Sequence, residues 1–310
     1  MSKDGLFLLV DAHAVIYRAY HALPDLTTPD GKLANAVYGF TRILLTAIRD
    51  LDPKYMAVAF DHPTPTFRHK EFKDYKAHRE EMPDDLKPQV GMIKEVVEKL
   101  NIPQFEIDGF EADDLIGTLA LQAKGQKKEV VIVTGDRDIF QLVQDGIKVW
   151  LPSRGKIEAA EYDSQAVKVK MGVRPDQIVD LKALMGDSSD NIPGIKGIGP
   201  KSAAKLLVEF ETLEKLYDQV ELAQQGNVNH PLLKGGLLTK LIEGKQSALL
   251  SQQLAQIELD VPIKLDLPSC KVSGYDKEQI LELFEQFGFR SLAKLLPADD
   301  FELGLQNALF

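Results

Sequence analysis

In the stretch GFEADDLIGTLA, residues 109–120, Glu111, Asp113 and Asp114 crowd together just ahead of an apolar run that reads as a helix. Acids in a first turn cap free amides and sit well at the positive end of the helix dipole. One acid suffices for that. Glu111 and Asp114 stand at i and i+3 and share a helix face, while Asp113 lies about 100° round from Asp114, so the charges repel unless something positive is near. Six more acids stand where they could join them: Asp11, Asp61, Asp136, Asp138, Asp187 and Asp190. Taken singly, each has an ordinary reading as a cap or turn residue, and Asp190-Asn191 ahead of Ile192-Pro193 reads as a turn. Taken together in one cleft, so many carboxylates raise one another's pKa values and strain the fold unless divalent cations share the space. Oxygen-only ligands suit magnesium or manganese rather than zinc.

The elements that must carry these acids alternate along the chain. LFLLVDA (6–12), YMAVAFD (55–61) and EVVIVTGD (129–136) are short apolar runs, as expected of strands buried on both faces of a parallel sheet. Helical patterns fill the intervals at 36–51, 86–100 and 113–124. The pattern predicts an α/β domain. Ligands bind beyond the carboxyl ends of such strands, where Asp11, Asp61, Asp136 and Asp138 fall. QFEIDGF (104–110) reads as a further extended segment delivering the Glu111 cluster, and LMGDSSDNIPG (184–194) brings Asp187 and Asp190 after an apolar helix.

Two segments look suited to nucleic acid. IPGIKGIGPKSAAKLL (192–207) resembles a phosphate-binding P-loop, but Pro200 separates Gly199 from Lys201 and the segment follows a helix and a turn. A helix-hairpin-helix fits better, with Gly194, Gly197 and Gly199 in the hairpin, Ser202 just inside the next helix, and Lys196, Lys201 and Lys205 adding charge for a duplex backbone. TFRHKEFKDYKAHR (66–79) sets Arg68, Lys70, Lys73, Lys76 and Arg79 among Phe67, Phe72 and Tyr75. On one helix Arg68, Phe72, Tyr75, Lys76 and Arg79 would share a side, offering cations to phosphates and rings to bases. The alternative is an amphipathic helix whose rings pack on the core. Its position, directly after the strand ending in Asp61, favours the nucleic-acid reading.

Composition sets bounds. The chain has 44% hydrophobic and 27% charged residues, ordinary for a folded protein, and its length suggests two folded units. The net charge of -10 argues superficially against nucleic acid, yet acids gathered in one pocket are compatible with a basic groove elsewhere. The one cysteine, Cys270, permits no internal disulfide or zinc knuckle. With no signal-peptide pattern and no apolar stretch long enough for a bilayer, the expected location is cytoplasmic.

Over nearly its whole length the chain resembles the 5′ nuclease domain of bacterial DNA polymerase I and, more broadly, the flap endonuclease superfamily. The blocks LVDAHAVIYRAYHAL, AVAFD, TFRHKEFKDYKAHR, GFEADDLIGTLA, VTGDRD and LMGDSSDNIPGIKGIGPKSA match in order and spacing. The resemblance implies a PIN-like, Rossmann-type parallel-sheet core with a helical arch, followed by a helix-three-turn-helix DNA-binding region. The expected division is a nuclease core over 1–174 with the arch at about 62–90, a DNA-binding unit over 175–297, and a tail or linker over 298–310. By the same resemblance Asp11, Asp61, Glu111 and Asp113 would hold a first metal ion and Asp136, Asp138 and Asp190 a second, with Asp114 and Asp187 as further acids. Arg68, Lys76 and Arg79 would engage the scissile phosphate, Tyr75 a base and Lys70 the DNA backbone, and the hairpin would take potassium. The chain departs from the family pattern in Ala12-His13, where Gly and then Ser or His is common, and in Arg137, where Lys is common.

The expected activity is two-metal hydrolysis of phosphodiesters at 5′ flaps, duplex junctions and RNA primer–DNA hybrids, with ions about 4 Å apart. It would leave a 5′-phosphate and a 3′-hydroxyl, with a DNA polymerase as partner in the same chain or acting with it, and the nuclease as a monomer associated with the nucleoid. A PIN-type ribonuclease shares the acidic core but does not need the hairpin. A non-catalytic junction-binding module is the rival of a different class.

Overall fold

The computed structural model describes residues 5–153, 155 and 157–309, with side chains as far as residue 304. Residues 1–4 and 310, the outermost ends of the two terminal units expected from sequence, lie outside the described residues. The chain runs β1 (Leu6–Asp11), α1 (Ala12–Ala22), α2 (Asn35–Leu51), β2 (Tyr55–Ala59), α3 (Phe67–Glu71), α4 (Lys87–Lys99), β3 (Gln104–Phe105), α5 (Ala112–Gly125), β4 (Glu129–Val133), β5 (Ile147–Leu151), β6 (Ala160–Tyr162) and α6 (Ser164–Met171). It continues through α7 (Ile178–Met185), α8 (Pro200–Phe210), α9 (Leu213–Gln224), α10 (Gly235–Glu243), α11 (Lys245–Ala255), α12 (Lys277–Phe287) and α13 (Asp300–Leu309).

The sheet order is β3-β2-β1-β4-β5-β6, parallel except where β6 runs antiparallel to β5. The chain starts in the middle, moves outward through β2 and β3, then returns to the other side of β1. That reversal makes the carboxyl ends of β1 and β4 the switch point, where an open α/β sheet has its crevice. Strand alternation divides the core. Phe7, Leu9, Val130 and Ile132 face α5, and their apolar cluster runs on into Ile178, Leu181, Leu206 and Leu216 of the helical region. Leu8, Val10, Met56 and Val58 face α1, α2 and α4. Ile280, Leu283, Phe284 and Phe289 pack in that second cluster, so the chain around α12 returns to the far face of the sheet.

α7 and α8 flank the hairpin. Gly194 has φ +60, and a Cβ there would lie 2.1 Å from the Gly186 nitrogen, so only glycine lets the two backbones meet. Ser251 donates no bond there but accepts one from the Gly194 amide at 2.9 Å, while Ser247 donates to the Gly194 carbonyl at 2.6 Å. α10 and α11 are separated at Gly244. The hairpin explains the break: a Cβ on Gly244 would meet Ile195 Cγ2 at 2.6 Å.

The basic segment 66–79 is not one helix. α3 stops at Glu71, Phe72 is extended and caps back to the Arg68 carbonyl, and turns carry the chain on to Lys76, whose backbone is left-handed at φ 54. The Lys76 amide donates to the Asp190 carbonyl at 2.9 Å and Asn191 Nδ2 to the Asp74 carbonyl at 2.7 Å. These bonds tie the segment to the loop between α7 and the hairpin. No helix among the described residues is long and apolar enough to cross a membrane.

Candidate active site

Over the carboxyl ends of β2, β1 and β4 opens a cavity of about 580 Å³, lined by Asp11, Asp61, Glu111, Asp113, Asp136 and Asp190. Asp11 caps α1, accepting from the Ala14 amide at 3.1 Å, and its other oxygen accepts from Thr134 Oγ1 at 2.6 Å. Asp61 accepts from the Ala112 amide at 2.7 Å, which anchors the start of α5. Thr134 Oγ1 also accepts from the Asp136 amide, and the Asp136 carboxylate from the Asp138 amide, both at 2.9 Å.

Crowding shows in the proton affinities. Burial pushes the Asp11 carboxyl up to about 7, with the charges of Asp61 and Asp136 adding to it and the bonds from Thr134 and Ala14 opposing it. Burial, then Asp11, Asp136 and Asp61, also raise Asp113 well above the usual range. Asp138 is pushed to about 7 by burial and Asp136, against the nearby Lys182 ammonium.

The chain supplies its own counter-ions. Lys76 Nζ lies 2.8 Å from Glu111 and 3.9 Å from Asp190, and Arg79 lies 2.6 Å from Asp190. Burial works against the Lys76 charge, but Glu111 and Asp190 outweigh it and raise its pKa. Lys182, 4% exposed, bonds Asp187 at 2.6 Å and also pairs with Asp138. Asp187 is held ionised below its usual range because Lys182 and Ser189 outweigh its burial. Among the described residues no three acids or histidines stand in a ready-made metal-ligand arrangement. Lys182 escaped the sequence reading. Its one signal was a lysine late in the otherwise apolar run IVDLKALM.

The acids of 111–114 divide their roles. Asp114 is fully buried: it accepts from the Glu111 amide at 3.0 Å, from the Glu258 amide at 2.8 Å and from Arg68 through both oxygens at 2.8 Å. The cap reading therefore holds for Asp114, and its expected place among the metal-site acids is corrected, because every face of it is taken and it does not line the cavity. Arg68 is corrected too. At 2% exposure, it is also bonded to the Leu254 and Gln256 carbonyls, leaving it no path to a phosphate. Tyr75 is 3% exposed and donates to Glu111 at 3.1 Å, so its ring is packed rather than offered to a base. Lys70 is exposed, as are Lys196, Lys201, Ser202, Lys205, Gly197 and Gly199 of the hairpin region, whereas Gly194 is buried.

His13 shares the cavity wall. Its Nδ1 accepts from the Asp61 amide at 3.1 Å, and burial lowers its pKa against the pull of Asp61.

An acid-lined switch point joined to a helix-hairpin-helix defines an α/β nuclease, a hydrolase of phosphodiester bonds. Residues 6–172 match the family model of the 5′-3′ exonuclease N-terminal, resolvase-like domain, and residues 173–278 that of the 5′-3′ exonuclease C-terminal SAM fold. The chain belongs to the 5′-3′ exonuclease family. It is 40% identical over 309 residues to a DNA polymerase I of Bacillus subtilis, covering 100% of this chain and 34% of that protein. It thus spans about a third of the length of that relative. A T5 5′-exonuclease structure with zinc bound superposes with a TM-score of 0.65 at 20% identity, covering 94% of this chain and 97% of the other. A complex of the T5 D15 flap endonuclease with DNA and metal ions gives 0.64 at 20% identity, covering 94% and 96%.

Two outcomes follow from this geometry. Arg68→Met strands a buried carboxylate and should lower unfolding free energy by about 3–5 kcal/mol in denaturant melts, with much of the loss recovered in Arg68→Met/Asp114→Asn. For Asp11 and Asp138, the folded state binds more protons than the unfolded one between the ordinary aspartate range and about 7, so their contribution to stability falls as pH rises through that window. Asp11→Asn in EDTA should therefore gain more in melting temperature over the parent at pH 8 than at pH 5; an equal gain, or a loss at pH 8, would contradict this.

Proposed function

We propose that the chain is a metal-dependent, structure-specific 5′ nuclease that cuts 5′ flaps and 5′ ends at duplex junctions, leaving a 5′-phosphate and a 3′-hydroxyl. The observation that carries this reading is the gathering of Asp11, Asp61, Glu111, Asp113, Asp136 and Asp190 around one cavity, with Lys76 and Arg79 at its edge. An all-oxygen donor set of high negative charge fits Mg²⁺ or Mn²⁺. Asp11, Asp61, Glu111 and Asp113 would hold one ion, and Asp136, Asp138 and Asp190 a second. When bound, such ions supply Lewis-acid stabilisation of phosphate charge and make water more acidic. The presence of metal ions and DNA in the T5 structures supports the same reading.

The chain's own groups do the rest. Thr134 and the amides of Ala14 and Ala112 fix Asp11 and Asp61 in position. Lys76 and Arg79 spend their charge on Glu111 and Asp190 in this structure. Once those carboxylates have other counter-ions, both side chains are available to neutralise charge on the phosphate. The exposed Lys196, Lys201 and Lys205 beside the hairpin hold a duplex by its phosphates, with no reading of sequence, so specificity lies in the shape of the junction. Potassium at the hairpin belongs to the same reading. Because the relatives are polymerases of about three times this length, removal of RNA primers and flaps beside a DNA polymerase is the proposed setting.

The test is cleavage of a 5′-end-labelled flap duplex by the parent and by Asp136→Ala in Mg²⁺, Mn²⁺ or EDTA. The expected result is metal-dependent cutting near the junction, reduced by about 10²-fold or more in the variant while junction binding survives. A parent that binds the junction and cuts nothing would be a binding module instead. Cutting confined to single-stranded RNA would favour the PIN-type ribonuclease.

A further inference from the structure

The proposed reaction does not yet use His13, which stands in the first turn of α1 with its side chain 17% exposed on the cavity wall. The Asp61 amide points its hydrogen at His13 Nδ1 over 3.1 Å, so that nitrogen holds a lone pair and the single proton of the neutral ring sits on Nε2. Asp61 Oδ2 lies 3.4 Å from the same Nδ1, but a nitrogen already accepting a hydrogen bond has no proton to offer it. The Phe60 ring packs edge-on at 6.1 Å and restrains the imidazole plane. Among the described residues Nε2 has no hydrogen-bond partner, and no polar side-chain atom in that set is both buried and unpartnered. The Nε2–H group is therefore open to the solvent of the cavity.

Tyr17, Thr64 and Thr66 also line this cavity as uncharged donors, and His13 is the one beside Asp61. Around it stand carboxylates, which repel a phosphate and attract cations. A lysine or a protonated histidine here would neutralise Asp11 and Asp61 as Lys76 and Arg79 neutralise Glu111 and Asp190. A neutral imidazole leaves that negative charge intact and still offers one hydrogen bond to an oxygen anion.

We propose that His13 is a catalytic residue whose Nε2–H donates to a non-bridging oxygen of the phosphodiester held in the cavity, on the Asp11 and Asp61 side. This deepens the nuclease reading above and rests on it. The competing role is a brace, in which His13 matters only because Nδ1 holds the Asp61 amide.

The two roles use different nitrogens, and two amide side chains separate them. Glutamine sets its side-chain nitrogen near the place of Nε2, whereas asparagine sets its oxygen near the place of Nδ1. The experiment is single-turnover cleavage of a labelled 5′ flap in Mg²⁺ by the parent, His13→Gln and His13→Asn. Thermal melts and Mn²⁺ binding without DNA, followed by the electron paramagnetic resonance of free Mn²⁺, check fold and metal site. The expected result is a rate within about threefold of the parent for His13→Gln and a loss of about 10- to 100-fold for His13→Asn, with Mn²⁺ affinity unchanged in both. The opposite order, with asparagine near the parent and glutamine slow, would establish the brace and overturn the proposal, and so would equal losses in the two variants. A parent that does not cut at all would remove the nuclease reading itself and this inference with it.

Discussion

Like charges brought together in a partly buried space have to be neutralised, and most of this molecule's arrangement around the sheet follows from that requirement. The backbone carries Asp11, Asp61 and Asp136 to adjoining strand ends, a placement fixed by the strand order before any side-chain chemistry enters. The chain then provides cations at three depths. Arg68 is sealed with Asp114, Lys182 sits between Asp138 and Asp187, and Lys76 and Arg79 lie at the rim on Glu111 and Asp190. The Arg68–Asp114 pair is structural, since a charge left alone there would be costly. Of the two cations on Glu111 and Asp190, Arg79 is half exposed and belongs to a segment held by turns, whereas Lys76 lies deeper but still faces the cavity.

This ordering also explains how the two halves of the chain are joined. Arg68 bonds Asp114 of α5 and the carbonyls of Leu254 and Gln256 at the end of α11, so one side chain ties the segment 66–79, the sheet domain and the helical region. The Lys76 amide and Asn191 fasten the segment 66–79 to the loop that leads into the hairpin. The hairpin is thus continuous with the acids, through a loop in which Asp187 and Asp190 lie only a few residues from Gly194. Gly186 and Gly194 bring the two ends of that loop into close backbone contact.

Much of the scaffold was legible because its signals are local. Continuous apolar runs marked β1, β2 and β4, helical periodicity marked α2, α4 and α5, and aspartates at the strand ends marked the cleft. The rest depended on information that local pattern lacks. IKVWL and AEY are too short and mixed to announce β5 and β6. The break at Gly244 exists because Ile195, far away in sequence, needs the room. The charges of Arg68 and Lys76 read alike in sequence, yet tertiary packing buries one beyond reach and leaves the other facing the cavity. Of the three acids at 111–114, helix geometry alone could not say that Asp114 turns inward to its cap and to Arg68 while Asp113 faces its like charges.

The central claim is that rim cations hold places that divalent metal takes over. Its most direct measurement is Mn²⁺ titration of the DNA-free protein, reading free Mn²⁺ by electron paramagnetic resonance, for the parent and for Lys76→Met. If the claim is right, the parent binds Mn²⁺ and Lys76→Met binds it several-fold more tightly, because the metal no longer displaces an ammonium from Glu111. A parent that binds no Mn²⁺, or a variant that binds it no more tightly than the parent, would contradict the claim.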